Sequence, residues 1–149
     1  MSRLRTALLL ALVGVLAVPT PMGSLVADQK GKASPEEVMG AMTVRFLKYA
    51  QWPKGRFEEA DSPIVLGVIG DRTVYASAKR SEKTDIEGHS LRVIQLPPFD
   101  AKDEKSVAQW KRCHAVFIEA ASKPEEILAF ARTAHILTVS NLTGFADRG

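Results

Sequence analysis

Asp71 and Glu119 each close an apolar run, Ile64 to Ile69 and His114 to Ile118, so both fall at the carboxyl ends of expected strands. If those strands are neighbours, the two carboxylates suit a phosphoacceptor or a divalent-cation site. Polar residues commonly finish strands, however, and no lysine follows the fourth strand to complete a receiver-like centre. His89, His114 and His135 are numerous enough for zinc. His114 and His135 open strands at the amino edge and His89 sits in a turn, whereas open parallel sheets hold ligands beyond the carboxyl ends. No metal is therefore expected. Cys113 is the only cysteine, so no internal disulfide can form. Lys111, Arg112 and His114 adjoin it, but sequence neighbours on a strand point different ways. Cys113 thus reads as a small half-buried residue, with an intermolecular disulfide or a reactive thiol as the rival readings. Gly67 and Gly70 do not form a dinucleotide fingerprint, and there is no P-loop or G-x-S-x-G elbow. No enzyme is indicated and no cofactor is expected.

The elements that must position these residues follow from local signals. Ser34-Pro35-Glu36-Glu37 starts a helix, with Ser34 as cap and Glu37 closing a capping box. That helix runs to about Gln51, since Pro53 disfavours helical geometry at Trp52. Val38, Met42, Arg45/Phe46 and Tyr49 recur at helical spacing and make one side apolar. Phe46, Tyr49 and Trp52 read either as core or as a partly exposed anchor for a partner. Ile64 to Ile69 is a continuous apolar strand of the kind covered on both faces. A helix over Thr73 to Arg80 follows, then a turn at Ile86 to Ser90 and a second, mixed strand over Leu91 to Leu96, expected at an edge. Asp103 to Arg112 is a helix with Val107 and Trp110 inward, and His114 to Ile118 a third strand. Ser122 to Thr133 is a helix capped by Ser122, with Ile127, Leu128, Phe130 and Ala131 inward, and His135 to Val139 a fourth strand. The alternation predicts an α/β fold: a mainly parallel sheet of about four strands with helices on both faces, a three-layer sandwich. Its carboxyl edge gathers Gly70, Asp71, Glu119, Ser140 and Asn141.

The amino terminus speaks to location. Arg3 and Arg5 precede an apolar run from Ala7 to Val18, and Leu25-Val26-Ala27 offers a small residue before Asp28. This is the layout of a secretory signal peptide over residues 1–27, cleaved between Ala27 and Asp28. The run is shorter than the ~20 residues a spanning helix needs, so no stable transmembrane segment is expected after processing. Residues 28–149 then form a single domain with one core. The formal charge of +3 includes Arg3 and Arg5, leaving about +1 on the processed chain. There is no basic patch with interleaved aromatics, which argues against nucleic acid. An exported location is also short of the phosphodonors that a receiver-like carboxylate pair would need.

Several segments together resemble the YfiR/HmsC family of small periplasmic proteins. They are Phe46-Leu47-Lys48-Tyr49 into Trp52-Pro53, Val65-Leu66-Gly67-Val68-Ile69-Gly70-Asp71, and Gly88-His89-Ser90-Leu91. Cys113-His114-Ala115-Val116-Phe117-Ile118, Leu137-Thr138-Val139-Ser140 and Gly144-Phe145-Ala146-Asp147-Arg148-Gly149 follow in order. The resemblance covers about residue 36 to the end. It implies α/β layers and a non-catalytic regulator that binds and represses the periplasmic domain of an inner-membrane diguanylate cyclase or a similar sensor. Release of that hold would raise cyclic di-GMP and favour biofilm growth. Family members usually continue past the Gly144–Gly149 segment into a β-hairpin and a final helix. The domain is accordingly expected to be C-terminally truncated. Some members carry internal disulfides, for which this chain has only Cys113.

The function expected from the sequence is therefore a periplasmic regulator acting on a membrane-bound signalling protein. The alternative is a periplasmic small-molecule-binding protein using the carboxyl-edge crevice near Asp71 and Asn141. The residues expected to meet a partner or ligand are Tyr49, Trp52, Asp71, Asn141, Phe145 and Arg148. A homodimer stays open as a further assembly.

Overall fold

The computed structural model describes residues 31–53, 55–119 and 124–148. The signal-peptide reading, its Ala27/Asp28 junction and the Ser122 cap lie outside the described residues.

Helix α1 spans Pro35–Leu47. Its start is local chemistry: Glu37 N donates to Ser34 Oγ at 3.2 Å and Ser34 N donates to Glu37 Oε2 at 3.1 Å, closing the capping box. The helix ends four residues before the expected Gln51. Lys48, Tyr49 and Ala50 donate to the carbonyls three residues back, a tightened last turn. That turn leads the chain to Trp52, whose Nε1 donates to the His114 carbonyl at 3.1 Å.

Strand β1 (Ile64–Ile69) is the centre of the sheet. Helix α2 (Arg72–Lys79) follows, capped by Asp71. Strands β2 (Asp85–Ile86) and β3 (His89–Gln95) form an antiparallel hairpin. Helix α3 (Glu104–Lys111), strand β4 (Ala115–Ile118), helix α4 (Pro124–Thr133) and strand β5 (Leu137–Ser140) complete the alternation. A short 3-10 turn covers Ala146–Arg148. The strand order is β2-β3-β1-β4-β5, parallel except for β2 against β3.

The structure thus carries five strands rather than about four. Only Glu87 and Gly88 of the expected Ile86-to-Ser90 turn actually turn, both with positive φ (54° and 89°), as a two-residue type I′ hairpin requires. That reversal folds Asp85-Ile86 back on β3, so the strand expected at the edge lies inside, between β2 and β1. At the other end, His135 does not open a strand. It is the left-handed residue after α4 (φ 53°). His135 N bonds to Arg132 O and Ile136 N to Ala131 O at 2.8 Å, a Schellman ending that delays β5 to Leu137.

Strand alternation sends side chains to two faces, and each face has its own apolar cluster. Leu66, Val68, Val93, Ala115 and Phe117 pack with Val44 and Leu47 of α1 and Val74 and Ala78 of α2. Val116, Ile118 and Leu96 pack with Trp110 of α3 and with Ile127, Leu128 and Ala131 of α4. The fold is an α/β body with a mixed, mostly parallel sheet and four helices. No helix among the described residues is long and apolar enough to cross a membrane.

Candidate functional site

The stripe of α1 that spacing singled out as apolar faces outward. The buried residues of α1 are Gly40, Thr43, Val44 and Leu47, a different stripe from the one the spacing of large side chains singled out. Val38 (47% exposed), Met42 (40%), Phe46 (47%) and Tyr49 (83%) stand in solvent. Gly40 is the reason. A Cβ there would sit 2.6 Å from both Ser77 Cβ and the Val74 carbonyl of α2. Only a glycine lets the two helices approach so closely, and Ser77 Oγ then donates to the Glu37 carbonyl at 2.6 Å. Once this face is seated on α2, Val38, Met42 and Phe46 are left outside.

The exposed stripe runs into a groove of about 630 Å³. Its walls are Phe46, Tyr49 and Ala50, all four residues of β5, Leu142, and the stretch from Gly144 to Asp147 that includes Phe145. Strand β5 pairs only with β4, so its other edge borders the groove with backbone groups that no strand among the described residues meets. The geometry is apolar wall plus open strand edge, the combination that accepts an extended or helical segment of another protein.

The expected site residues separate into distinct places. Tyr49 and Phe145 meet in the groove. Arg148 does not line it. Its guanidinium pairs with Glu125 at 3.7 Å and its carbonyl accepts from Arg132 Nη2 at 2.7 Å, tying the terminal turn to α4. Asn141 is exposed between groove residues. Asp71 is engaged as the cap of α2, accepting from Thr73 N and Val74 N, which holds its carboxyl below the usual range. Its own N–H donates to Glu119 Oε2, so the carboxylate pair closes the β1 and β4 ends by hydrogen bonding through one backbone amide.

Trp52 belongs to a second region at the amino edge of the sheet. The loop at 55–63 lays Phe57 between two imidazoles. Its ring stacks on His89 (centroids 3.9 Å apart, planes 11°) and on His114 (4.7 Å, 19°), with Trp52 edge-on to both Phe57 and His114. His89 Nδ1 donates to the Ser62 carbonyl at 2.8 Å. His114 Nδ1 accepts from Val65 N at 3.1 Å. Burial pushes the His114 pKa down to about 4. The Arg56 guanidinium adds to that, the Arg56 carbonyl opposes it weakly, and His89 adds a little more. The ring is therefore neutral near pH 7, with its proton on Nε2. Arg56 Nη2 donates to the carbonyls of Lys111 (3.0 Å) and Cys113, capping the carboxyl end of α3. Cys113 is fully buried, and desolvation, partly offset by Arg56, raises its thiol to about 12. It is a small apolar core residue. Sequence reasoning missed Arg56 and Phe57. Neither lies in a motif, and what joins them to His114 is a loop crossing over the sheet edge.

The metal-ligand residues are dispersed. His89 and His114 are separated by a phenyl ring, and His135 is exposed beyond α4. Among the described residues no group of three or more His, Cys, Asp and Glu converges on a point.

No curated protein and no solved structure gives a significant match to this chain. The family comparison is positive. Residues 36–149 match the YfiR/HmsC-like family, a stretch that includes all of α1 but Pro35, the five strands of the described residues and the wall of the groove. That family is regulatory and non-catalytic, and suggests a periplasmic role in cyclic di-GMP signalling. With the ordered segments, the α/β fold and the match in agreement over most of its length, the chain belongs to the YfiR/HmsC-like family.

Proposed function

We propose that this chain is exported to the periplasm by its apolar leader and there binds and restrains a membrane-bound signalling protein, a diguanylate cyclase. The reading takes the two apolar clusters as the faces of a three-layer sandwich and the α1–β5 side as the docking surface. The observation that carries it is the outward stripe Val38, Met42, Phe46 and Tyr49 running into the groove beside β5. Membership of a family that suggests a regulator of cyclic di-GMP signalling supports a membrane signalling partner. Isolated exposed apolar residues need no explanation, but a stripe continuous with an apolar groove marks an interaction surface. Tyr49 is the natural anchor, a large rigid side chain almost wholly in solvent.

Restraint requires that the chain prefer the inactive state of the cyclase, since equal affinity for both states shifts nothing. A ~100-fold preference would supply about 2.7 kcal/mol of bias. The reading needs no catalytic group in this chain. Co-purification with inner-membrane proteins, together with cyclic di-GMP measured in a deletion strain, tests it. The expected result is a co-purifying cyclase and a raised nucleotide level in the deletion. That level should fall again with the native gene and stay high with a Phe46→Ser/Tyr49→Ser variant. An unchanged level and no membrane partner would remove the proposal.

A further inference from the structure

The loop at 55–63 is fastened to the amino edge of the sheet by side chains. Among the described residues its main-chain hydrogen bonds, Arg56 N to Pro53 O and Ser62 N to Glu59 O, stay within 53–62. Three clasps reach the body. Phe57 stacks between His89 and His114, Arg56 Nη2 donates to the Lys111 and Cys113 carbonyls, and the Ser62 carbonyl accepts from His89 Nδ1. Phe57 packs, with Trp52, on the core cluster that contains Ile64 and Ile86. At the start of the loop Gly55 has a φ of 86°, and a Cβ there would meet nothing within 4 Å, so this end is free to swing. We infer that the loop is an acid-released strap: protonation of His114 lifts Phe57 off the amino edge and uncovers Trp52, Ile64 and Ile86 while the sheet stays folded.

The three clasps respond differently to a proton. His89 Nδ1 donates to a carbonyl, a bond that the imidazolium also makes, and Arg56 is charged throughout. His114 Nδ1 instead accepts from Val65 N at 3.1 Å. A proton on that nitrogen sets two N–H groups against each other. The main chain of His114 cannot yield, because its N–H is bonded to Val65 O and its carbonyl to Leu137 N. Relief comes from the ring turning out of its place, and Phe57 is stacked on its face. The surrounding charges fix the direction. Arg56, with Lys111 and Arg112 at the end of α3 and His89 of β3, opposes a charged ring. Glu58 of the strap lines the same cavity and favours one, as does the Arg56 carbonyl, while Glu87 stands beside His89. The Cys113 thiol, raised to about 12, is neutral. Burial and the cations prevail and hold His114 at about 4, against ~6.5 for a released ring. The open state therefore binds more protons, and acid favours it. The strap is separate from the α1–β5 groove and does not depend on the docking proposal.

The test is fluorine NMR of the purified chain labelled with 5-fluorotryptophan. Trp52 reports the strap and Trp110, fully buried on the other face of the sheet, reports the body. Trp52→Phe assigns the two resonances. Between pH 7 and 4 the opening equilibrium should rise about 30-fold, so a strap a few per cent open at pH 7 becomes about half open at pH 4. The expected result is a Trp52 resonance that moves toward its position in the denatured chain over this range, while the Trp110 resonance stays in place. His114→Asn, which keeps an acceptor for Val65 N but does not titrate, should lose the Trp52 movement. If that variant does not fold, the parent decides, because the His114 Cε1–H resonance must titrate at the pH where Trp52 moves. A Trp52 resonance that stays in place overturns the inference. So do two tryptophan resonances that move together, a movement that a folded His114→Asn keeps, or a His114 titration at a different pH.

Discussion

The two regions make opposite use of aromatic residues. On the α1–β5 side Phe46 and Tyr49 are held out in solvent, and the surface they form is apolar, open and short of partners. At the amino edge Phe57 and Trp52 are folded against His89 and His114, and their ring faces are covered from within the fold. Tyr49 and Trp52 are only three residues apart, yet the turn after α1 sends one to each region. The difference teaches that one chain can use aromatic surface for its own packing at one edge and hold it free for a partner at another.

The sharpest way to break the contrast is Phe57→Ala. It removes a half-buried ring stacked on two others, and should cost about 3 kcal/mol, read as a lower denaturant midpoint. Partner binding through the groove should survive in the folded fraction. Gly40→Ala acts on the other region. Its methyl would press on α2 at 2.6 Å, costing about 2 kcal/mol and tilting α1. Here affinity for the membrane partner should fall together with stability.

The amino edge carries a pH dependence of its own. The folded state holds His114 at about 4 while the unfolded chain titrates near 6.5, so the unfolded state binds more protons between these values. Its contribution is complete above pH 6.5 and is lost as pH falls toward 4. Allowing for solvent access to the ring, the loss is about 2 kcal/mol. Denaturant melts between pH 7 and 4 should show it, and His114→Asn should flatten the slope. The smallest effect on stability is expected from Tyr49→Ser. At 83% exposure it should shift the midpoint by under ~0.5 kcal/mol while weakening partner binding more than ~10-fold. If Tyr49→Ser instead destabilised the fold and left binding intact, the assignment of the two regions would be reversed.

Much of the fold was legible because its signals are short-range. Ser34 and Glu37 cap α1 within four residues, and the run Ile64 to Ile69 can only be a covered strand. The β2–β3 hairpin was less visible, because Glu87-Gly88 turns with a non-glycine residue at positive φ. The outward stripe of α1 had a signal that side-chain size obscured. Gly40, Val44 and Leu47 form a second stripe at helical spacing, and its glycine permits the closer helix contact.

By itself the sequence determined the alternation of elements, their caps, the mostly parallel sheet and the family, because these rest on neighbours within a few residues and on the order of apolar runs. Only the tertiary structure decided which side of α1 is buried, and that Arg56, Phe57, His89 and His114 share one edge. Burial depends on what arrives to cover a surface, and the covering groups come from 25 or more residues away along the chain, where local propensity carries no information.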